Sequence, residues 1–176
     1  TSLGTAYIGK GDYERAISYL TEVLEQAKVL QSWYLQASTL RYLGVAYIEQ
    51  EKYTQAEETL RAGLELATAH NSIQWVISTE ATLADLYTAQ GDLEQGLTHL
   101  LTGLAHAQQH EHLSQQETIH HRLAQIYELL GDHQLALDHH RQFHELYAQE
   151  HDKETQIRIQ VLTMKYDLDE ARRNAE

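Results

Sequence analysis

Residues 43–56 read LGVAYIEQEKYTQA, and the same skeleton stands at 3–16 (LGTAYIGKGDYERA), 83–96 (LADLYTAQGDLEQG) and 123–136 (LAQIYELLGDHQLA). The step is 40 residues each time: Leu3, Leu43, Leu83 and Leu123 are followed by Gly4, Gly44, Ala84 and Ala124, then by Tyr7, Tyr47, Tyr87 and Tyr127. A fixed period of roughly 20 to 50 residues marks stacked supersecondary units. A second row of small residues keeps the step (Ala16, Ala56, Gly96, Ala136), and a third runs through Ala27, Ala67 and Ala107 until Tyr147 replaces it. A small residue at a helix crossing lets another helix approach, while Leu and Tyr fill the flanking volume. Between each Tyr and the following small residue lies a turn signal: Gly11-Asp12, Glu51-Lys52, Gly91-Asp92 and Gly131-Asp132. Gly can end one helix and Asp can cap the next. Each unit is therefore expected to be two antiparallel helices, at about 1–9, 13–31, 34–50, 53–70, 74–90, 93–110, 114–130 and 133–150, with a separate last helix from about 153.

Composition supports an all-α chain. Among 176 residues there is no proline, Tyr outnumbers Phe eleven to one, and 42% hydrophobic with 22% charged content is ordinary for a globular core. The absence of cysteine removes disulfides, thiolate metal sites and a Cys nucleophile from consideration. A formal net charge of -13 leaves little basic surface for phosphates, so neither nucleic acid nor an anionic membrane is expected as a partner. With no apolar run of about 18 residues and no signal core, the cytosol is the default expectation. The chain starts at Thr1 in mid-motif, which reads as a piece of a longer protein.

L-G-x-x-Y, then G-D-Y, then Ala with a large apolar residue four positions on (Ala16/Leu20, Ala56/Leu60) resembles the tetratricopeptide repeat over about 1–150. The 40-residue spacing is similar to the longer-helix variant of kinesin light chains, polarity adaptors and bacterial regulators. The resemblance implies a right-handed α-solenoid of antiparallel helix pairs, about four repeats long, with the first repeat truncated. Departures are the missing unit-closing proline and Leu40, Glu80 and His120 where the family often has Trp. The fourth repeat, with His140 and His144 in place of Leu, reads as a terminal unit.

The resemblance also implies a concave wall made by the first helix of each pair. Carried over position by position, the partner groove would comprise Arg41, Val45, Ile48 and Glu49, then Ser78, Ala81, Asp85 and Thr88, then His121, Arg122, Gln125 and Glu128. Arg41 or Arg122 could fork onto a carboxylate of an acidic peptide. The Lys/Asn/Arg clamp of the family's chaperone cofactors is not expected, because no groove position is Asn or Lys.

Other chemistry is poorly supported. His106/His110 and His140/His144 have the i,i+4 spacing of metal ligands but no third ligand fixed by local spacing, so no metal is assigned. His120-His121, His139-His140 and His151 could titrate near neutrality. No serine sits in a GxSxG context and no glycine loop could cradle phosphate, so neither catalytic residues nor a cofactor are expected.

After Glu150 the repeat fails. Ile157, Val161, Met164, Leu168, Ala171 and Ala175 form a heptad seam, and Ile159, Leu162 and Tyr166 form a second stripe fit to pack back on the fourth repeat. Residues 151–176 are thus expected to cap the solenoid, to form a dimeric coiled coil, or both. MKYDLDEARRNAE resembles the connector between tetratricopeptide arrays and output domains such as diguanylate cyclases or kinases in bacterial sensors. The leading expectation is a non-catalytic protein-interaction and regulatory module of a bacterial signalling protein. The alternative is a freestanding adaptor with a peptide or helix in its groove.

Overall fold

A computed structural model describes residues 2–175, with the side chains of 153–156, 158–160, 162–163 and 165–175 left aside. The described residues form eight helices and no strand: α1 (Ser2–Gly9), α2 (Tyr13–Val29), α3 (Trp33–Glu49), α4 (Tyr53–Ala69), α5 (Ile73–Ala89), α6 (Leu93–Gln109), α7 (Leu113–Leu130) and α8 (His133–Ala175).

The seven turns share one backbone design. In each, a residue adopts a left-handed conformation: Gly11, Gly91 and Gly131 at φ 74° to 81°, and Gln31, Glu51, Asn71 and Glu111 at φ 51° to 57°. The next residue's N–H then reaches back five residues to a carbonyl. That carbonyl belongs to Tyr7, Tyr47, Tyr87 and Tyr127 within the repeats, and to Ala27, Ala67 and Ala107 between them. Two rows of the 40-residue period, the tyrosines and Ala27, Ala67 and Ala107, therefore sit where the helix-ending Schellman bond is accepted. Asp12, Asp92 and Asp132 then cap the next helix by accepting from Arg15, Gln95 and Leu135 N–H, at 3.3, 3.1 and 3.1 Å. Lys52, in the Asp position of the second repeat, makes no side-chain cap.

The small-residue rows hold the helix pairs together. A Cβ built on Gly4 would lie 2.5 Å from Leu20 Cδ2, and one built on Gly44 would lie 2.4 Å from Leu60 Cδ2. Leu20, Leu60 and Leu100 are fully buried, as are Ala16, Ala56, Ala27, Ala67 and Ala107. One hydrophobic cluster joins α5, α6 and α7 through Ile77, Leu100, Ile119, Leu123 and Ile126, and another joins α4 and α5 through Leu60, Leu83 and Leu86.

One boundary differs from expectation. The helices expected at 133–150 and from 153 are a single helix, α8, 43 residues long. Residues 147–154, YAQEHDKE, contain neither Gly nor Pro, and among the described residues none after Gly131 has positive φ, so nothing there builds the turn that closes each earlier helix. Of the heptad seam, Ile157, Val161 and Met164 are exposed, at 53%, 58% and 70%. Leu168, Ala171 and Ala175, and the second stripe Ile159, Leu162 and Tyr166, lie outside the residues whose side chains are described.

The arrangement is a solenoid with two rows. Helices α1, α3, α5 and α7 pack on one another in succession, whereas α2, α4 and α6 touch only neighbours of the first row. A row whose members meet is the inner one, so α3, α5 and α7 form the concave wall of a right-handed α-solenoid.

Candidate functional site: the concave wall

Arg41, near the middle of α3, sets the character of this wall. Its guanidinium carbon lies 4.3 Å above the Tyr42 ring centroid and 5.8 Å from that of Trp75 on α5. Burial holds the group below the ordinary arginine range; Tyr42 opposes that shift, while the nearby Arg122 cation reinforces it. Arg41 Nε is buried without a hydrogen-bond partner, and Trp75 Nε1 and Gln115 Oε1 share that condition.

Gln115, at the start of α7, spends its amide N–H groups on α5. Nε2 donates to the Gln74 carbonyl at 2.9 Å and lies 3.0 Å from Ser78 Oγ. Two turns further on, Arg122 donates through Nε and Nη2 to both Asp85 oxygens, at 2.8 and 3.0 Å. This fork crosses from α7 to α5 and occupies the arginine face that a ligand carboxylate would need. Two hollows meet at Arg122 and Thr118. The smaller, about 180 Å³, is bounded by Arg41, Ile77, Ser78, Ala81, Gln115 and Ile119. The larger, about 470 Å³, is bounded by Asp85, Glu117, His121, Gln125 and Phe143. Burial, then the neighbouring Glu150 carboxyl, raises the Glu117 carboxyl at its edge.

Of the twelve expected groove positions, the structure brings together Arg41, Ser78, Ala81, Asp85, His121, Arg122 and Gln125 around these hollows. The others lie elsewhere. Ile48 packs against the α4–α5 cluster. Glu49 accepts from the Tyr13 hydroxyl at 3.0 Å, and Glu128 meets His140 Nε2 at 3.2 Å. The Thr88 hydroxyl donates to the Ala84 carbonyl and faces the α5–α6 crossing, 2.9 Å from where a Cβ on Gly96 would stand. Val45 is half-buried and borders neither hollow. Sequence reasoning missed Trp75, Gln115, Thr118 and Phe143. Trp75 and Gln115 are one 40-residue step apart, a helical turn before the row carrying Ser78, and that register was the available signal.

Two of the histidines, His99 and His139, occupy equivalent packing positions in successive repeats. His120 Nδ1 lies 2.8 Å from His139 Nδ1 across the α7–α8 contact, and the His139 ring stacks on Tyr127 at 5.3 Å. Burial, reinforced by His139, brings the His120 pKa down to about 4; burial also lowers that of His139, against the pull of Asp138. One repeat earlier the equivalent positions hold Glu80 and His99, 2.6 Å apart, with His99 stacked on Tyr87 at 5.2 Å. Among the described residues no three His, Cys, Asp or Glu side chains converge as a metal site, and no helix is long and apolar enough to cross a membrane.

By comparison of sequence, the profile described as "tetratricopeptide repeat" matches residues 1–69 and 75–158. A search of curated proteins finds no match. By comparison of structure, the chain is similar to BtubC (BKLC) from P. vanneervenii, at 17% identity and a TM-score of 0.70, covering 82% of this chain and 59% of that one. It is also similar to the Rap conjugation gene regulator of plasmid pLS20 in complex with the Phr* peptide, at 19% identity and a TM-score of 0.71, covering 82% and 40%. A third likeness is to the nearly identical TPR-like repeats assigned to a kinesin light chain of Podospora anserina, at 23% identity and a TM-score of 0.63, covering 84% and 73%. At such identities the shared feature is the fold. The chain spans 59% and 40% of the lengths of the first two proteins.

Proposed function

The chain belongs to the tetratricopeptide repeat family, and from that premise we propose that it is a protein-interaction module whose α3–α5–α7 wall receives a peptide or a helix of a partner protein. The family is generally non-catalytic, and the reading needs no reaction. The observation that carries it is the wall itself: three first-row helices present polar side chains around two adjoining open hollows. The Rap regulator, with a similar fold, was solved with a peptide bound. A groove between helices is where the fold offers concave surface, and a peptide that adds little ordering cost is the partner such a surface suits.

The same proposal extends to the carboxy-terminal helix. α8 carries its exposed apolar side chains Ile157, Val161 and Met164 at a spacing of four and three, the seam of a two-helix contact. In this reading the repeats are the input region of a larger signalling protein, and α8 passes partner binding to an output domain by pairing with a second copy. Because α8 is one uninterrupted helix from His133, a tilt at the fourth repeat would be carried along its length.

Light scattering after size exclusion, with and without residues 157–176, tests this extension. A dimer that becomes a monomer on truncation is the expected result. A monomer in both cases would contradict pairing through α8 and leave the groove to act as a freestanding adaptor.

A further inference from the structure

One row of α8 keeps a step of seven through two different surroundings: Ala136, Phe143, Glu150, Ile157 and Met164. A step of seven holds one face of a helix. Ala136 is buried, the Phe143 ring lies 5.1 Å from that of His121 on α7, and the Glu150 carboxyl meets that of Glu117 on α7. Past that point the same face is bare, with Ile157 53% and Met164 70% exposed. The seam offered to a second copy therefore continues the face on which α7 lies.

The sequence orients the pair. Arg158, Lys165 and Arg172 fall on one flank of the seam, and Gln160, Asp167 and Asn174 on the other. Antiparallel helices set each flank against itself, which here brings basic residues together. Parallel helices set one flank against the other, and Asp167 then stands in register with the second copy's Arg172, five positions on, the spacing of an ion pair.

A parallel pair puts the two α8 axes about 8–10 Å apart at Ile157, with these faces turned to each other. Residue 150 is only about 10 Å away along the helix. There each α8 carries its own α7 on the same face, so four helices lie in line and the two α8 axes need roughly 24–30 Å between them. A crossing angle near 20° opens straight helices by only about 4 Å over that distance. α8 is one uninterrupted helix, so full pairing and full docking of α7 exclude each other.

The start of α7 is the weak part of its contact with α8. The register that places Ser32 at the head of α3, accepting from the Leu35 N–H, places His112 at the head of α7, where it makes no side-chain cap. Glu117 and Glu150 set two carboxyl groups side by side, and open hollows of about 380 and 140 Å³ flank Glu150. Gln115, within this stretch, ties α7 to α5 through the Gln74 carbonyl.

We propose that the first turns of α7 and the α8 of a second copy compete for one face of α8, so that pairing lifts residues 113–117 away and a partner held between α5 and α7 opposes pairing. The inference rests on the reading of α8 as a pairing helix, and it gives the coupling between wall and helix a sign: a filled wall favours separate chains.

The test uses the full chain, with sedimentation equilibrium for the pairing constant and hydrogen–deuterium exchange for α7. Amides of residues 117–120, which donate to the carbonyls of 113–116, should exchange at least tenfold faster where pairs dominate than at dilutions where single chains do. Met164→Asp, which spoils the pairing face, should hold the slow rate at every concentration. His112→Ser combined with Glu117→Gln returns a capping residue and removes the carboxyl clash without touching the seam. It should weaken pairing at least tenfold, since each copy must then lift a better-held turn. Pairing with unchanged exchange at 117–120, or an unchanged pairing constant in the double variant, would overturn the competition while leaving α8 pairing standing. A chain that stays single at every concentration would overturn the pairing reading and the competition with it.

Discussion

Acidification should loosen the contact between α7 and α8 through the His120–His139 pair. His120 is 5% exposed and its Nδ1 lies 2.8 Å from the His139 Nδ1, so one ring must donate and the other accept. Burial disfavours the charged His120 ring first and a charged His139 adds repulsion; with both rings charged, neither facing nitrogen can accept. His120 titrates at about 4 in the folded chain against an ordinary value of 6.5. Because the folded pKa is the lower, the unfolded chain binds more protons between these values, and stability falls as pH drops through that window. The full difference corresponds to about 3 kcal/mol, complete below pH ~4, and about 2 kcal/mol of it is already lost at pH ~5 relative to pH ~7.5. Well above pH ~6.5 the His120 difference contributes no slope. The chain has 12 histidines, so the wild-type pH dependence alone is not diagnostic. The control is H120L/H139T, which places at the pair the residues Leu40 and Thr59 that occupy the same positions two repeats earlier. Urea unfolding of both proteins at pH ~7.5 and ~5 should show the wild type losing about 2 kcal/mol more than the variant, a midpoint difference of roughly 1 M for an unfolding slope of about 2 kcal/mol per molar. Equal losses in the two proteins would refute the assignment of the depressed titration to this pair.

Three further outcomes follow from the packing. Gly44→Ala drives a methyl group into Leu60, which is fully buried, and should cost about 1–3 kcal/mol, read as a lowered urea midpoint; a neutral effect would mean Leu60 can yield. Leu100→Ala empties a fully buried site in the α5–α6–α7 cluster and should cost about 2–5 kcal/mol by the same measurement, with a loss well under 1 kcal/mol contradicting the described core. Tyr87→Phe removes a hydroxyl that donates to Glu57 at 2.9 Å and lies 2.9 Å from Arg61 Nη2, and should cost about 1 kcal/mol; no change would show that the bridge between α4 and α5 contributes nothing.

Most of the fold could be read from the repeat because its signals are steric and local. Gly44 facing Leu60, or Asp92 capping after Gly91, needs only residue size and a turn conformation, and both recur at a fixed step. The turns at Gln31, Asn71 and Glu111 were harder to read, since none carries glycine; their left-handed conformation is held by the same reach-back bond to Ala27, Ala67 and Ala107. The join at 150–153 was misplaced because loss of the repeat motif resembles an end of helix, although none of these residues takes the left-handed conformation that closes the earlier helices. On the concave wall, spacing located the helices but could not say how side chains pair across them. Arg122 and Asp85 are 37 residues apart and satisfy each other, while Arg41 has an aromatic neighbour on either side and an idle Nε. Trp75 and Gln115 escaped notice because their importance lies in an unmet hydrogen bond, a property of three helices together.

The central claim is that the α3–α5–α7 wall is the partner surface. Hydrogen–deuterium exchange by mass spectrometry, with and without a peptide selected for binding from a random ten-residue library, tests it most directly. Slowed exchange concentrated in α3, α5 and α7, strongest around Arg41, Ser78 and Gln115, is the predicted result. Protection confined to the outer helices α2, α4 and α6, with the inner row unchanged, would contradict it.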